Sequence, residues 1–153
     1  MGVTRIDSFA SLFSLIDYAL YNGAQPVLCA YVGNATYWRA VVVGEHVVSH
    51  YRNVTDEDDF RTSGSDDEQD YRAPAPPGLE EVAVEAVRAL GDEFGGVDVL
   101  EHPSGRLYVL ESNNPCYFAS GQLMIGTDVS GTMIEHLLRK SKQKMELEAT
   151  QNV

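Results

Sequence analysis

Gly95-Gly96-Val97-Asp98-Val99-Leu100-Glu101, then a Pro103-Ser104-Gly105 turn and Arg106-Leu107-Tyr108-Val109-Leu110-Glu111-Ser112-Asn113, is the stretch that decides the fold. Val97 to Glu101 reads as a strand and Arg106 to Ser112 as its hairpin partner. Each strand sets a carboxylate among valines and leucines, where charge is expensive to keep. Glu111 and Asn113 are two residues apart and share one face of a strand. If Asp98 pairs across the hairpin on that face, three hard oxygen donors converge, a set suited to Mg²⁺. The residues alone leave a second reading open, in which the strands simply carry outward-facing acids.

Outward from this hairpin, Leu79 to Phe94 reads as an amphipathic helix with Val82, Val84, Ala86, Val87, Leu90 and Phe94 on its core face, stopped by Gly95-Gly96. Tyr37 to Val43 and His46 to Val54 form an earlier hairpin around Gly44-Glu45. Asp7 to Tyr21 is a helix capped by Asp7 or Ser8, with an apolar stripe of Phe9, Leu12, Phe13, Leu15, Ile16 and Leu20. Pro26 to Val32 reads as a short buried strand holding Cys29, and Asn113 to Gly126 as a loop. A last helix starts near Asp128 and runs through Leu138 toward a polar tail over 140–153. Hairpins outnumber crossovers. The expected class is therefore α+β: a mainly antiparallel sheet with helices packed on one face, over 1–139.

The chain has 153 residues and a net charge of −12, from 11 basic and 23 acidic residues. That balance speaks against general nucleic-acid binding, which needs cations for the phosphates, and against anionic membranes. No apolar run approaches the roughly 18 residues of a membrane span, and the N-terminus has no signal pattern. Cys29 and Cys116 form neither a disulfide framework nor a metal spacing, which points to a reducing, cytoplasmic setting. Residues 56–70 hold eight acids against Arg61 alone, and lead into the Pro/Gly-rich 73–78 stretch. The 56–77 segment is expected to be loop or partly disordered. Inside it, Phe60-Arg61-Thr62-Ser63 is an aromatic, basic and hydroxyl island. Arg39, opening the strand Ala40-Val41-Val42-Val43, reads either as an edge cation balancing acids or as an anion contact. Arg61 admits the same two readings. His46, His50, His102 and His136 have no metal spacing and read as structural or surface residues. No phosphate loop, G-x-S-x-G or H-E-x-x-H is present.

These segments together resemble the C-terminal part of the ATP-grasp superfamily, in the branch of RimK-like amino-acid ligases. The likeness runs from about Pro26 to Arg139. Its strongest part is a helix, then Gly-Val-Asp-Val, then Leu-Glu-Ser-Asn, against the family's G-[VI]-D-[VIL] and [VIL]-E-[VI]-N. Arg39-Ala-Val-Val-Val-Gly and Phe60-Arg61-Thr62-Ser63 are similar to two further family segments. The resemblance implies that Asp98, Glu111 and Asn113 hold Mg²⁺ (or Mn²⁺ in its place) against the phosphates of ATP. It implies that Arg39 and Arg61 face those phosphates or an acyl phosphate. Leu28-Cys29-Ala30-Tyr31 would line the adenine. In this class ATP activates a carboxylate and an amine attacks it, so the implied partners are carboxylate and amine substrates, small or peptidic. Ala30 stands where the family has glutamate, and Ser63 where it has asparagine. The family's glycine-rich flap and phosphate-gripping lysines have no counterpart here, which implies a complementary chain or second subunit. The alternative is a module that keeps the fold and binds or docks without catalysis.

Overall fold

The computed structural model describes residues 3–55 and 60–151. Asp56, Glu57, Asp58 and Asp59, half of the predicted acidic run, lie outside the described residues. The chain forms two compact units, Met1–Gly33 and Asn34–Val153.

In the first unit, α1 (Phe9–Tyr21) is capped by Ser8, whose hydroxyl accepts from the Ser11 amide at 3.1 Å. None of its residues is buried, and Phe9, Phe13 and Tyr21 are well exposed. The expected strand over Pro26–Val32 does not form, and Cys29 is exposed rather than buried. An apolar run becomes a strand only when a neighbour pairs its amides and carbonyls, and among the described residues none does. Arg5 instead stacks over the Tyr31 ring at 4.7 Å.

The second unit is built on one antiparallel sheet. Its strands are β1 (Thr36–Val43), β2 (His46–Thr55), β3 (Thr62–Ser63), β4 (Phe94–Glu101) and β5 (Leu107–Asn113), in the order β3-β2-β1-β4-β5. The two-residue turn between β1 and β2 needs a left-handed residue, and Gly44 supplies it at φ 64°.

The face carrying Trp38, Ala40, Val42, Val97 and Val99 packs beneath α3 (Leu79–Ala89) through Leu79, Ala83, Val84 and Val87. These side chains form the main core. A smaller cluster on the opposite face joins Val41, Val43 and Cys116 to Val129, with Phe94, Phe118 and Met133 against them. Val129 opens α5 (Val129–Gln151), so this helix begins against the sheet and continues through the polar tail.

Several boundaries differ from expectation. Helix α3 ends at Ala89 because Gly91, at φ +77°, closes a Schellman cap: its amide donates to Arg88 O and the Asp92 amide to Val87 O. Leu90 is consequently exposed, and Phe94 opens β4. The predicted loop 113–126 contains α4 (Ala119–Ile125), which packs on α2 (Glu68–Tyr71). That α2, together with β3, lies inside the segment expected to be loop. Outside these two short elements the described part of the segment is loop, and within it Tyr71 and Ser65 are each only 3% exposed. The Tyr71 hydroxyl donates to Ser65 O at 3.2 Å, and Asp70 pairs with Arg52 at 2.8 Å.

Candidate functional site

On the face away from α3, one residue from each of four adjacent strands lines up across the sheet. Tyr51 of β2 opposes Arg39 of β1, Arg39 opposes Asp98 of β4, and Asp98 opposes Glu111 of β5. Directly opposed residues share a face. The last pairing depends on a β-bulge. Val99 pairs with Val109, so regular register would set Leu110 against Asp98; the bulge makes Leu110 the extra residue and sets Glu111 there. It carries Glu111 and Asn113 onto the face of Asp98. Ser112 falls on the α3 face opposite Val97, where its hydroxyl has no hydrogen-bond partner.

Arg39, Asp98, Glu111 and Asn113 meet at contact distance. Arg39 Nε stands 2.9 Å from Asp98 Oδ1, and Arg39 Nη1 donates to Gly96 O at 3.0 Å. The side chains of Arg39 and Asp98 are 19% and 16% exposed. Neither Arg39 Nε nor Asp98 Oδ1 makes an aligned hydrogen bond, so charge rather than hydrogen-bond geometry holds that contact. Asn113 Nδ2 donates to Glu111 Oε1 at 2.9 Å and reaches Asp98 Oδ2 at 3.5 Å.

Burial pushes the Asp98 carboxyl up to about 6, against the pull of Arg39, and the neighbouring Glu111 pushes the same way. Glu111 is lowered by the Asn113 amide and by a hydrogen bond with Asp98. The opposite directions reflect two carboxylates in contact, of which the more buried Asp98 is the harder to ionise.

The guanidinium of Arg39 lies in a notch left by Gly96. A Cβ there would stand 2.5 Å from Cys116 Cβ and 2.8 Å from Arg39 Nη1. Burial raises the Cys116 thiol, which argues against a nucleophilic thiolate.

A cleft of 220 Å³ opens beside this row, lined by Tyr37, Trp38, Asn53, Thr62, Leu110 and the two carboxylates. A wider depression of 380 Å³ along α5 is lined by residues of that helix alone and holds no converging chemistry.

Arg39, Asp98, Glu111 and Asn113 thus form one group. Arg61 is exposed and immediately precedes Thr62, which lines the cleft. Leu28, Cys29, Ala30 and Tyr31 belong to the Met1–Gly33 unit, all exposed. Asn53, hydrogen-bonded to Asp98, and Tyr51, 4.6 Å ring to ring from Tyr71, escaped the sequence reading. Alternation along β1 and β2 was the available signal: Tyr37 and Arg39 pair with Asn53 and Tyr51. The histidines have structural partners, including Glu80 for His46, Ala73 O for His50 and Glu93 for His136.

Among the described residues no three His, Cys, Asp or Glu side chains cluster as metal ligands. Two carboxylates do converge, with the Asn113 side-chain amide beside them, and Asp98 Oδ1 is buried without an aligned donor. That donor set fits Mg²⁺, which takes one or two carboxylates and fills the rest of its shell with water and phosphate oxygens.

The RimK-like ATP-grasp domain family matches residues 29–137, most of the chain and the whole sheet. The chain belongs to this family. A probable alpha-L-glutamate ligase of Xanthomonas campestris pv. campestris (strain B100) is 37% identical over 99 residues, covering 65% of this chain and 34% of that protein. One of Stenotrophomonas maltophilia (strain K279a) is 33% identical over 104 residues, covering 68% and 35%. The chain spans about a third of the length of these curated relatives.

Among solved structures, the ATP-grasp ligase PsnB complexed with minimal precursor superposes with a TM-score of 0.59 at 21% identity, covering 92% of this chain and 45% of that one. PsnB complexed with a phosphomimetic variant of minimal precursor, Mg and ADP gives 0.52 at 19% identity, covering 71% and 33%. At such identities the likeness concerns fold alone. It agrees with the α+β, antiparallel architecture of this RimK-like ATP-grasp domain. No helix among its described residues is long and apolar enough to cross a membrane.

Proposed function

We propose that this RimK-like ATP-grasp domain carries the metal-binding, phosphate-facing part of an ATP- and Mg²⁺-dependent carboxylate–amine ligase. One observation carries the reading: Asp98, Glu111 and Asn113 converge on one face of the sheet, beside Arg39 and against an open cleft. Asp98, Glu111 and Asn113 would hold Mg²⁺, which when bound supplies the positive charge that phosphoryl transfer to a carboxylate requires. Arg39 stands next to that charge and is suited to an oxygen of the phosphoryl group or of the acyl phosphate. Arg61 sits at the β3 side of the cleft and is assigned the same role from that side. Backbone groups of Leu28–Tyr31 would meet the adenine. The acceptor is a carboxylate and the nucleophile an amine, in keeping with the glutamate-ligase name of the curated relatives. The remaining parts of such a ligase would come from another stretch of a longer chain, a separate chain or a second subunit.

A second reading has its own observation. Arg39 pairs with Asp98, and the Asn113 amide donates to both carboxylates, so the polar set is largely satisfied as it stands. A binding module without catalysis would have such a closed arrangement.

Thermal unfolding with and without Mg·ATP separates the two. Saturation at about 100 times the dissociation constant adds roughly 2.7 kcal/mol of stability to the native state. Glu111→Gln should keep the fold and abolish that gain. Wild-type protein that gains nothing from Mg·ATP, or a Glu111→Gln variant that gains as much, would end the ligase reading.

A further inference from the structure

We propose that Arg39 is an internal counter-ion for Asp98 that an arriving divalent cation displaces, so that loading the metal and freeing Arg39 are one coupled event. The proposal rests on the magnesium reading above and adds an order of events to it. A half-buried carboxylate stays charged only beside a cation, and Arg39 is the cation at Asp98. Their contact is 2.9 Å long, yet Nε and Oδ1 make no aligned hydrogen bond, so the pair is held by a charge that a divalent ion offers twice over. The same Oδ1 is therefore the atom with coordinating capacity to spare. A dication and a guanidinium held on one carboxylate repel each other, and Arg39 has somewhere to go. Its Nη1 is anchored on Gly96 O, and the cleft opens on the same face of the sheet. Arg39 thus keeps Asp98 apart from bulk cations and turns toward the phosphates only when the metal is in place.

The test uses the intact chain and Mn²⁺ alone at pH 8, followed by titration calorimetry and by the rate at which phenylglyoxal modifies Arg39, read by peptide mass. Saturating Mn²⁺ should speed modification of Arg39, and Glu111→Gln should remove that acceleration. Arg39→Gln should bind Mn²⁺ at least about fivefold more tightly than wild type, the lower end of ordinary coupling between two sites. An Arg39 reactivity unmoved by bound Mn²⁺, or an Arg39→Gln affinity equal to or weaker than wild type, overturns the proposal while leaving the metal site standing. Folded wild-type protein that binds no Mn²⁺ removes the magnesium reading itself, and this proposal with it.

Discussion

The two faces of the central sheet are made from the same strands and do opposite things. Toward α3, Trp38, Ala40, Val42, Val97 and Val99 are buried without a charge among them. One residue along, Arg39 and Asp98 face the other way and meet Tyr51 and Glu111. The dry face pins the backbone by close packing, and the polar face inherits that rigidity, so that ionisable groups sit at 2.9 Å without a loop to position them. Strand alternation is what allows a core and a site to share eight residues of β1.

Substitutions on either face test this division of labour. The largest loss is expected on the dry one. Val97 is fully buried under α3, and Val97→Asp leaves an unpaired charge there, a class of change that costs about 3–5 kcal/mol. Chemical denaturation should show it, and Mn²⁺ should not rescue the variant.

Next is Gly96, where the two faces touch through one backbone. Gly96→Ala pushes a methyl into Cys116 and the Arg39 guanidinium and should cost about 1–3 kcal/mol. It should also disturb Arg39, while Gly91→Ala, with open space around it, disturbs only the end of α3. Equal effects of the two alanines on Mn²⁺ affinity would remove the notch from the argument.

The smallest effect is a pH slope. Asp98 is raised from 3.8 to about 6, so the folded state holds a proton that the unfolded chain has released. The stability this confers is complete below about 4 and is lost as pH rises to about 6. Glu111, lowered from 4.5, works in the opposite sense, and its contribution is lost as pH falls below that value. Among the described carboxylates the Asp98 slope therefore stands alone between 4.5 and about 6. Asp98→Asn should flatten it in a urea-midpoint series, and a slope that survives the substitution belongs to another group.

Much of this could be read before any coordinates. The valine-rich hairpins, the Ser8 cap and the pairing of Gly-Val-Asp-Val with Leu-Glu-Ser-Asn are local patterns, and local patterns report periodicity well. The misses were of another kind. Gly91 was passed over for Gly95-Gly96, which moved the end of α3 and the place of Phe94. The acids of 60–73 concealed Tyr71, whose helix packs on β2 and α4, and Ser65, which is hydrogen-bonded to Tyr71 and Asp70. Pro26–Val32 had the composition of a strand, but composition cannot provide a partner strand.

By itself the sequence determined the hairpins, the principal helix and the family, because side-chain period, turn glycines and motif order are properties of contiguous residues. The tertiary structure alone decided whether the carboxylates meet. Asp98 and Glu111 face each other because a bulge at Leu110 shifts β5 by one residue, and a shift of one residue exchanges the two faces of a strand. Register is set by packing between strands, which no single strand encodes.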